Sequence, residues 1–490
     1  MATEQAMGGR DVRFAVIGAG MAGVLTAIKL QEAGITNFTV YEKADKLGGT
    51  WRENTYPGIG CDVPSHLYSY SFEPNPDWSH RYSPGAEIQT YFEDVAAKHD
   101  VTKTIRFGSA IVRCEFNDGR WELETADGHT DTADFVIAAT GVLHHPKYPE
   151  IEGLDSFAGD IFHSARWDHD VSIEGKRFGV IGSGSTATQI VTGTVDAVAK
   201  LSMFQRTPQW IMPQENPVYS DEEKQAYRDD PEILPALYQQ LADGMVANFA
   251  NAVIDSESPQ IKMVEEICRQ NLESSVHDPA LLEKLRPTYR AACKRLVIST
   301  NFYECIQRPN AELVSEEIER IEPEGIRTVD GRLHELDVLV LATGFKVDAF
   351  MRPMNIRGRD GVKLDDVWRD RPGAYLSITI PGFPNFFMLN GPNGPVGNFS
   401  LIEVAEMQLP YIMQLAELVR SGQCNEVSVS QSVADSFEEE RVEAAKNSIW
   451  TTGCNSWYLD DRGIPASWPW TFDRFREEMA APKLEAFELV

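Results

Sequence analysis

Basic residues are scarce in this chain of 490: 45 Lys and Arg stand against 74 Asp and Glu, a formal net charge of −29. A field of that sign repels nucleic acid and anionic lipid, so neither is expected as a partner. Cysteines number seven, at 61, 114, 268, 293, 305, 424 and 454, and no two fall in C-x-x-C. Odd in number and widely spaced, they argue against a disulfide framework and a zinc site, and reduced thiols are expected. Long apolar runs are missing as well. No window reaches the roughly 18 continuous apolar residues of a membrane span, and the opening MATEQAMGGRDVR has no apolar stretch before Phe14, so a cytoplasmic protein is expected. No solenoid-period repeat and no low-complexity tract occurs. What is present is a 42% hydrophobic, 10% aromatic composition in a chain too long for one core, which predicts two or three packed units.

The apolar run Arg13 to Ile17 ends in Gly18-Ala19-Gly20-Met21-Ala22-Gly23 and continues as a helical pattern to about Ala33. A second apolar run, Phe38 to Tyr41, stops at Glu42, 24 positions after Gly18, which completes a βαβ unit. The same grammar recurs at Arg177 to Ile181, Gly182-Ser183-Gly184-Ser185-Thr186-Ala187 and an apolar helix through Val191. Two apolar strands end in Ala139-Thr140-Gly141 and Ala342-Thr343-Gly344 and read as crossovers between units. From about Glu215 to Arg290 the sequence turns charged and helix-favouring, which predicts a helical insertion. From Tyr375 a strand and a glycine-proline loop are expected, then a helix over about Leu401 to Leu418.

Each glycine turn lets the backbone approach a pyrophosphate, which a helix N-terminus stabilises through its exposed N–H groups and partial positive charge. Gly18, Gly20 and Gly23 form the first such site, with Glu42 placed to accept from a ribose 2′-hydroxyl. The second has no acid at that distance; Arg206, followed by Thr207, stands there instead, which suits a 2′-phosphate and hence NADPH.

Phe157-Ala158-Gly159, His163 and Trp167-Asp168 fit F-x-G-x-x-x-H-x-x-x-W-[PD], and the chain therefore resembles the Baeyer-Villiger monooxygenases. Relatives oxidising nitrogen or sulfur usually lack the tryptophan that Trp167 supplies. Further segments carry the likeness: Gly48-Gly49-Thr50-Trp51, Tyr56-Pro57-Gly58, Cys61-Asp62, Cys293-Lys294-Arg295, Arg308-Pro309-Asn310, Gly391-Pro392-Asn393 and Cys454-Asn455-Ser456-Trp457-Tyr458. Pro64-Ser65-His66-Leu67-Tyr68 and Cys293-Lys294-Arg295 resemble the hydroxyacetophenone monooxygenase branch. Two positions depart from the pattern: Gly60 where many members have arginine, and Arg52-Glu53-Asn54 after Trp51 in place of a second aromatic.

The resemblance implies an α/β fold of two Rossmann-like dinucleotide-binding domains, one for FAD (1–141 and 341–490) and one for NADPH (142–214 and 291–340), with a helical insertion at 215–290. It implies that Arg295 is catalytic, standing over the flavin to stabilise a C4a-peroxyflavin, and that Asp62 orients it. FAD would meet Gly49, Thr50, Trp51, Asp62, Tyr68, Val112, Gly391 and Asn393 besides the first glycine turn and Glu42. NADPH would meet Gly182, Ser183, Gly184, Ser185, Thr186, Gln189, Arg206, Thr207, Lys294 and Trp457. His163 is expected at a hinge between domains. The implied reaction turns a small-molecule ketone and O2 into an ester or lactone, in a monomer or homodimer. Sulfur or nitrogen oxidation is the alternative, and a disulfide reductase is set aside for want of a redox-active cysteine pair.

Overall fold

The computed structural model describes residues 10–490, so most of the N-terminal stretch read above for targeting signals lies outside the described residues. Two five-stranded parallel sheets organise the chain. The first runs Phe386–Met388, Phe135–Ala138, Phe14–Ile17, Phe38–Tyr41, Ile105–Arg106. The second runs Ala311–Val314, Lys200–Phe204, Arg177–Ile181, Val338–Leu341, Asp160–His163. In each sheet the strand that leads into a glycine turn is central, flanked on one side by the strand after its own helix and on the other by the strand that ends in Ala-Thr-Gly. Burial on both faces explains why FAVI, FVIA and VLVL are continuous apolar runs with no alternation.

The two turns are built alike for one steric reason. Gly18 has φ +103° and Gly182 φ +138°, and a Cβ on either would come within 2.6 Å of the Ala139 carbonyl oxygen or 2.4 Å of that of Ala342. Each first glycine thus packs on the alanine of an Ala-Thr-Gly, which is why the two motifs travel together. The helices that follow, Met21–Glu32 and Ser185–Thr194, start with no side-chain cap and no acid in the first turn. Three helices of the charged stretch, Asp221–Asp229, Pro259–Ser275 and Pro279–Leu285, are instead capped by Ser220, Ser258 and Asp278. The N–H groups that the insertion satisfies internally are left free at the two glycine turns.

Two expectations need correction. The strand expected from Tyr375 lies at Phe386–Met388; residues 375–379 close a tight loop through a Tyr375–Thr379 bridge, with Leu376 and Ser377 in the left-handed region. The apolar run there is buried as a loop packed on the sheet. Reduced thiols throughout are also overturned: Cys293 and Cys454 form a disulfide across 161 positions, with their Cα atoms 6.1 Å apart, leaving five free cysteines among the described residues. Pairing at such separation is set by the fold, which no local spacing reports. No helix among the described residues is long and apolar enough to cross a membrane.

Candidate active site

A cavity of about 1330 Å³ opens between the first sheet with its loops, the helix Ser185–Thr194 and the insertion. Gly18, Gly20, Glu42, Gly49, Thr50, Trp51, Asp62, Tyr68 and Val112 line it from the first sheet and its loops, and Ser185, Gln189, Arg295 and Trp457 join them. Gly20 and Gly49 face each other: a Cβ on Gly49 would sit 3.1 Å from the Gly20 Cα, so two turns present bare backbone to one space. Glu42 is buried at the end of its strand. Its carboxylate accepts from the Ala19 and Ala44 backbone N–H groups at 2.8 and 3.0 Å and pairs with Arg52 at 3.0 Å, which fixes it beside the glycine turn. Arg52, the departure from the family turn, therefore positions the acid that the motif requires. Gly23 is turned away from the cavity; its Cβ would meet the Gly18 carbonyl oxygen at 1.9 Å, so its smallness serves helix-to-turn packing.

Asp62 and Arg295, 233 positions apart, meet inside this cavity, Asp62 Oδ2 accepting from Arg295 Nη2 at 2.5 Å. Asp62 raises the Arg295 guanidinium above its ordinary value, against burial, and the Tyr458 phenol adds to the rise. Burial lifts Tyr458 itself, with Arg295 opposing. A permanent cation, aimed by a carboxylate on one side and a phenol on the other, thus faces an enclosed space. Trp51 donates to the Tyr68 hydroxyl at 3.2 Å, and burial raises that phenol, so Tyr68 remains a neutral donor.

Gln189 joins the two halves. Its Oε1 accepts from the Tyr56 hydroxyl at 2.8 Å and its Nε2 donates to the Gly60 carbonyl at 3.0 Å. The Tyr56-Pro57-Gly58 segment lies on the same helix, with Gly58 (φ +83°) against the Gln189 carbonyl, where a Cβ would come to 2.3 Å. His163 holds the other junction: its Nε2 donates to the Gly344 carbonyl at 3.1 Å and its Nδ1 accepts from the Ala165 N–H. Burial lowers it to about 4, so it is neutral and its Nδ1 is free to accept. Trp167 packs edge-on against Phe162 and tilted against Phe178, at the foot of the second sheet.

Gly182, Ser183, Gly184, Thr186, Arg206, Thr207 and Lys294 lie outside the cavity lining. The Ser183 hydroxyl donates to the Thr207 carbonyl at 2.7 Å, tying the second glycine turn to the loop that carries Arg206. Lys294 is lowered by burial and by its neighbour Arg206, and neither forms an ion pair among the described residues. Two neighbouring cations without an acid partner among the described residues suit an anion. Gly391 and Asn393 are also absent from the lining. Asn393 Oδ1 accepts from the Ala374 N–H at 3.3 Å, and the Gly391 carbonyl accepts from the Ser377 hydroxyl at 2.6 Å, so both shape the loop from within. On that loop Asn390, which does line the cavity, has a buried Oδ1 without a partner in the protein.

The sequence reading missed Tyr458 as a contact of Arg295, although it quoted the segment. It also missed the insertion as a wall of the cavity: Leu241, Met245, Phe249, Met263, Val264 and Ile267 all face it. The signal for the last three was available, since positions 263, 264 and 267 share one face of the helix Pro259–Ser275.

Residues 11–353 match the family described as Flavin-binding monooxygenase-like. An uncharacterized monooxygenase of Mycobacterium tuberculosis is 47% identical over 485 residues, 99% of this chain and 97% of the relative. A Baeyer-Villiger monooxygenase of Streptomyces coelicolor is 38% identical over 487 residues, covering 98% and 93% of the two chains. The crystal structure of cyclohexanone monooxygenase from Rhodococcus sp. Phi1 bound to NADP+ superposes with a TM-score of 0.87 at 30% identity, covering 98% of this chain and 99% of that one.

Proposed function

This chain belongs to the flavin-binding monooxygenase-like family, and we propose that its cavity carries out an NADPH- and O2-dependent Baeyer-Villiger oxidation of a small ketone, with Arg295 as the catalytic cation. Ketone, O2, NADPH and a proton give ester or lactone, water and NADP+. FAD, when bound, accepts hydride from NADPH and activates oxygen for transfer. The bare backbone of Gly18, Gly20 and Gly49, the fixed Glu42 carboxylate and the unpartnered Asn390 oxygen fit that cofactor.

The chain's own residues supply placement and charge. Arg206 and Lys294 hold the 2′-phosphate, and the uncapped helix at Ser185 receives the pyrophosphate. Arg295 offsets negative charge that develops as oxygen is activated, and Asp62 keeps the guanidinium aimed while drawing the positively charged nicotinamide. The insertion's apolar side chains exclude water from the reacting centre. Sulfur or nitrogen oxidation is the less favoured reading, because Trp167 and the Asp62–Arg295 pair fit the ketone-oxidising pattern. We place the enzyme in the cytoplasm, as a monomer or homodimer.

The observation that carries this reading is the 2.5 Å Asp62–Arg295 pair inside a cavity walled by the first sheet and its loops, the helix Ser185–Thr194 and the insertion. The test incubates the flavin-loaded enzyme with NADPH, air and a ketone panel, and weighs the products. One added oxygen with an ester's fragmentation supports the reading; oxidation of only sulfide and amine controls overturns it.

A further inference from the structure

The disulfide sits beside the catalytic cation. Cys293 is two residues before Arg295, and Cys454 is three before Trp457 and four before Tyr458. One covalent bond therefore ties the loop that carries the guanidinium to the segment that supplies its phenol neighbour and an aromatic wall of the cavity. Both cysteines are buried in an apolar cluster with Ala292, Ile449, Trp450 and Tyr458. Neither lines the cavity, so the pair is no flavin-facing dithiol and the disulfide-reductase reading gains nothing from it.

Besides the disulfide, the seam is held by side chains alone: the apolar cluster and the Arg295–Tyr458 neighbours join 290–296 to 450–458, and no backbone hydrogen bond among the described residues does. Tyr289 and Arg290 anchor the start of the loop, the Tyr289 hydroxyl donating to the Pro208 carbonyl at 2.9 Å and Arg290 pairing with Glu265 at 2.7 Å; past them residues 291–294 form no helix or strand, and Ala292 is held at φ +63°, a conformation that a residue with a side chain seldom keeps without outside restraint. By contrast, segment 447–449 is anchored to the insertion by backbone bonds from Ser256 to Asn447 and from Ile449 to Val253.

We propose that Cys293 and Cys454 form a reversible redox tether that positions Arg295 against Tyr458, so that the state of the pair sets how well NADPH oxidation is coupled to oxygen transfer. This rests on the role given to Arg295 above. Oxidation removes two electrons and two protons from the thiols and forms the S–S bond; O2, already a substrate, accepts both and leaves as hydrogen peroxide. A small dithiol reverses the step by thiolate attack, with Cys454, the less buried sulfur, as the point of entry.

The first test denatures air-oxidised protein in iodoacetamide, with and without dithiothreitol, and counts labels by mass. Five labels without reductant and seven with it are expected; seven without reductant overturns the tether. The second compares oxidised wild type, dithiothreitol-reduced wild type and Cys293→Ala/Cys454→Ala, all flavin-loaded. Flavin content is expected to stay within about twofold, while ester per NADPH falls and hydrogen peroxide rises. Hydrogen exchange gives a readout independent of turnover: peptides covering 450–458 are expected to exchange ~10-fold faster on reduction, with the Gly18–Gly23 peptide unchanged. Equal exchange at 450–458 in both redox states, or unchanged coupling, overturns the proposal. If no ketone is oxidised at all, label count and exchange still report on the tether, so its failure is told apart from failure of the assigned reaction.

Discussion

Asp62→Ala is the perturbation that separates a working site from a turn. In the structure the Asp62 carboxylate accepts no backbone N–H and has one side-chain partner, Arg295 Nη2 at 2.5 Å, with both side chains about one-third exposed, at 27% and 36%. A charge-assisted hydrogen bond contributes about 1.5–3 kcal/mol, which as lost positioning corresponds to ~10–150-fold in rate. Protonation does not enter: without Asp62 the guanidinium loses its upward push but remains an arginine, charged throughout the working range. The expected variant is folded, flavin-loaded and normal in pH profile, but slower in both half-reactions by that factor. Stopped-flow absorbance reads them in turn, first flavin bleaching by NADPH without oxygen, then the oxygen-dependent return. If Asp62 only capped a turn, the loss would be about 1 kcal/mol of stability with both rates intact. Unchanged rates in a folded, flavin-loaded Asp62→Ala protein would refute the reasoning.

Arg295→Ala is expected to bind FAD normally and to form ester at least ~100-fold more slowly, since the cation facing the cavity is gone; near wild-type ester formation would remove Arg295 from catalysis. Arg206→Ala should raise the KM for NADPH by ~10–150-fold and leave that for NADH nearly unchanged; equal changes would move the 2′-phosphate elsewhere. Glu403 and Glu406, on the helix Leu401–Arg420, are pushed by burial up to about 7, with Arg476 opposing at Glu403 and the Ser71 N–H and hydroxyl opposing at Glu406. Their folded values exceed the ordinary 4.5, so the stability they contribute is full below that pH and is lost as pH rises through about 7. Glu406→Gln should therefore gain melting temperature relative to wild type between pH 5 and pH 8, measured by scanning calorimetry at pH steps; a gap that is constant across this range would contradict the buried-acid assignment.

What the sequence determined by itself is what short stretches decide. A glycine turn between an apolar strand and a helix is local, and so are Glu42 at a fixed distance after it and Arg206 where the second unit should carry an acid. The charged, helix-favouring composition of the insertion is local too. Those features by themselves place two nucleotide-binding units and a helical segment. They did not place the strand after Tyr375, because an apolar run of that length suits a buried loop and a buried strand equally; packing on the first sheet chose Phe386–Met388. Nor did they show that Gln189 spends its amide on the junction between units, or that Gly391 and Asn393 brace their own loop. The decisive contacts are long-range: Asp62 to Arg295 across 233 positions, Cys293 to Cys454 across 161, and the insertion's apolar face folded over the cavity. Such pairs carry no spacing signal, since the cost of closing so long a loop hardly depends on its length, and only the tertiary packing selects which loops meet.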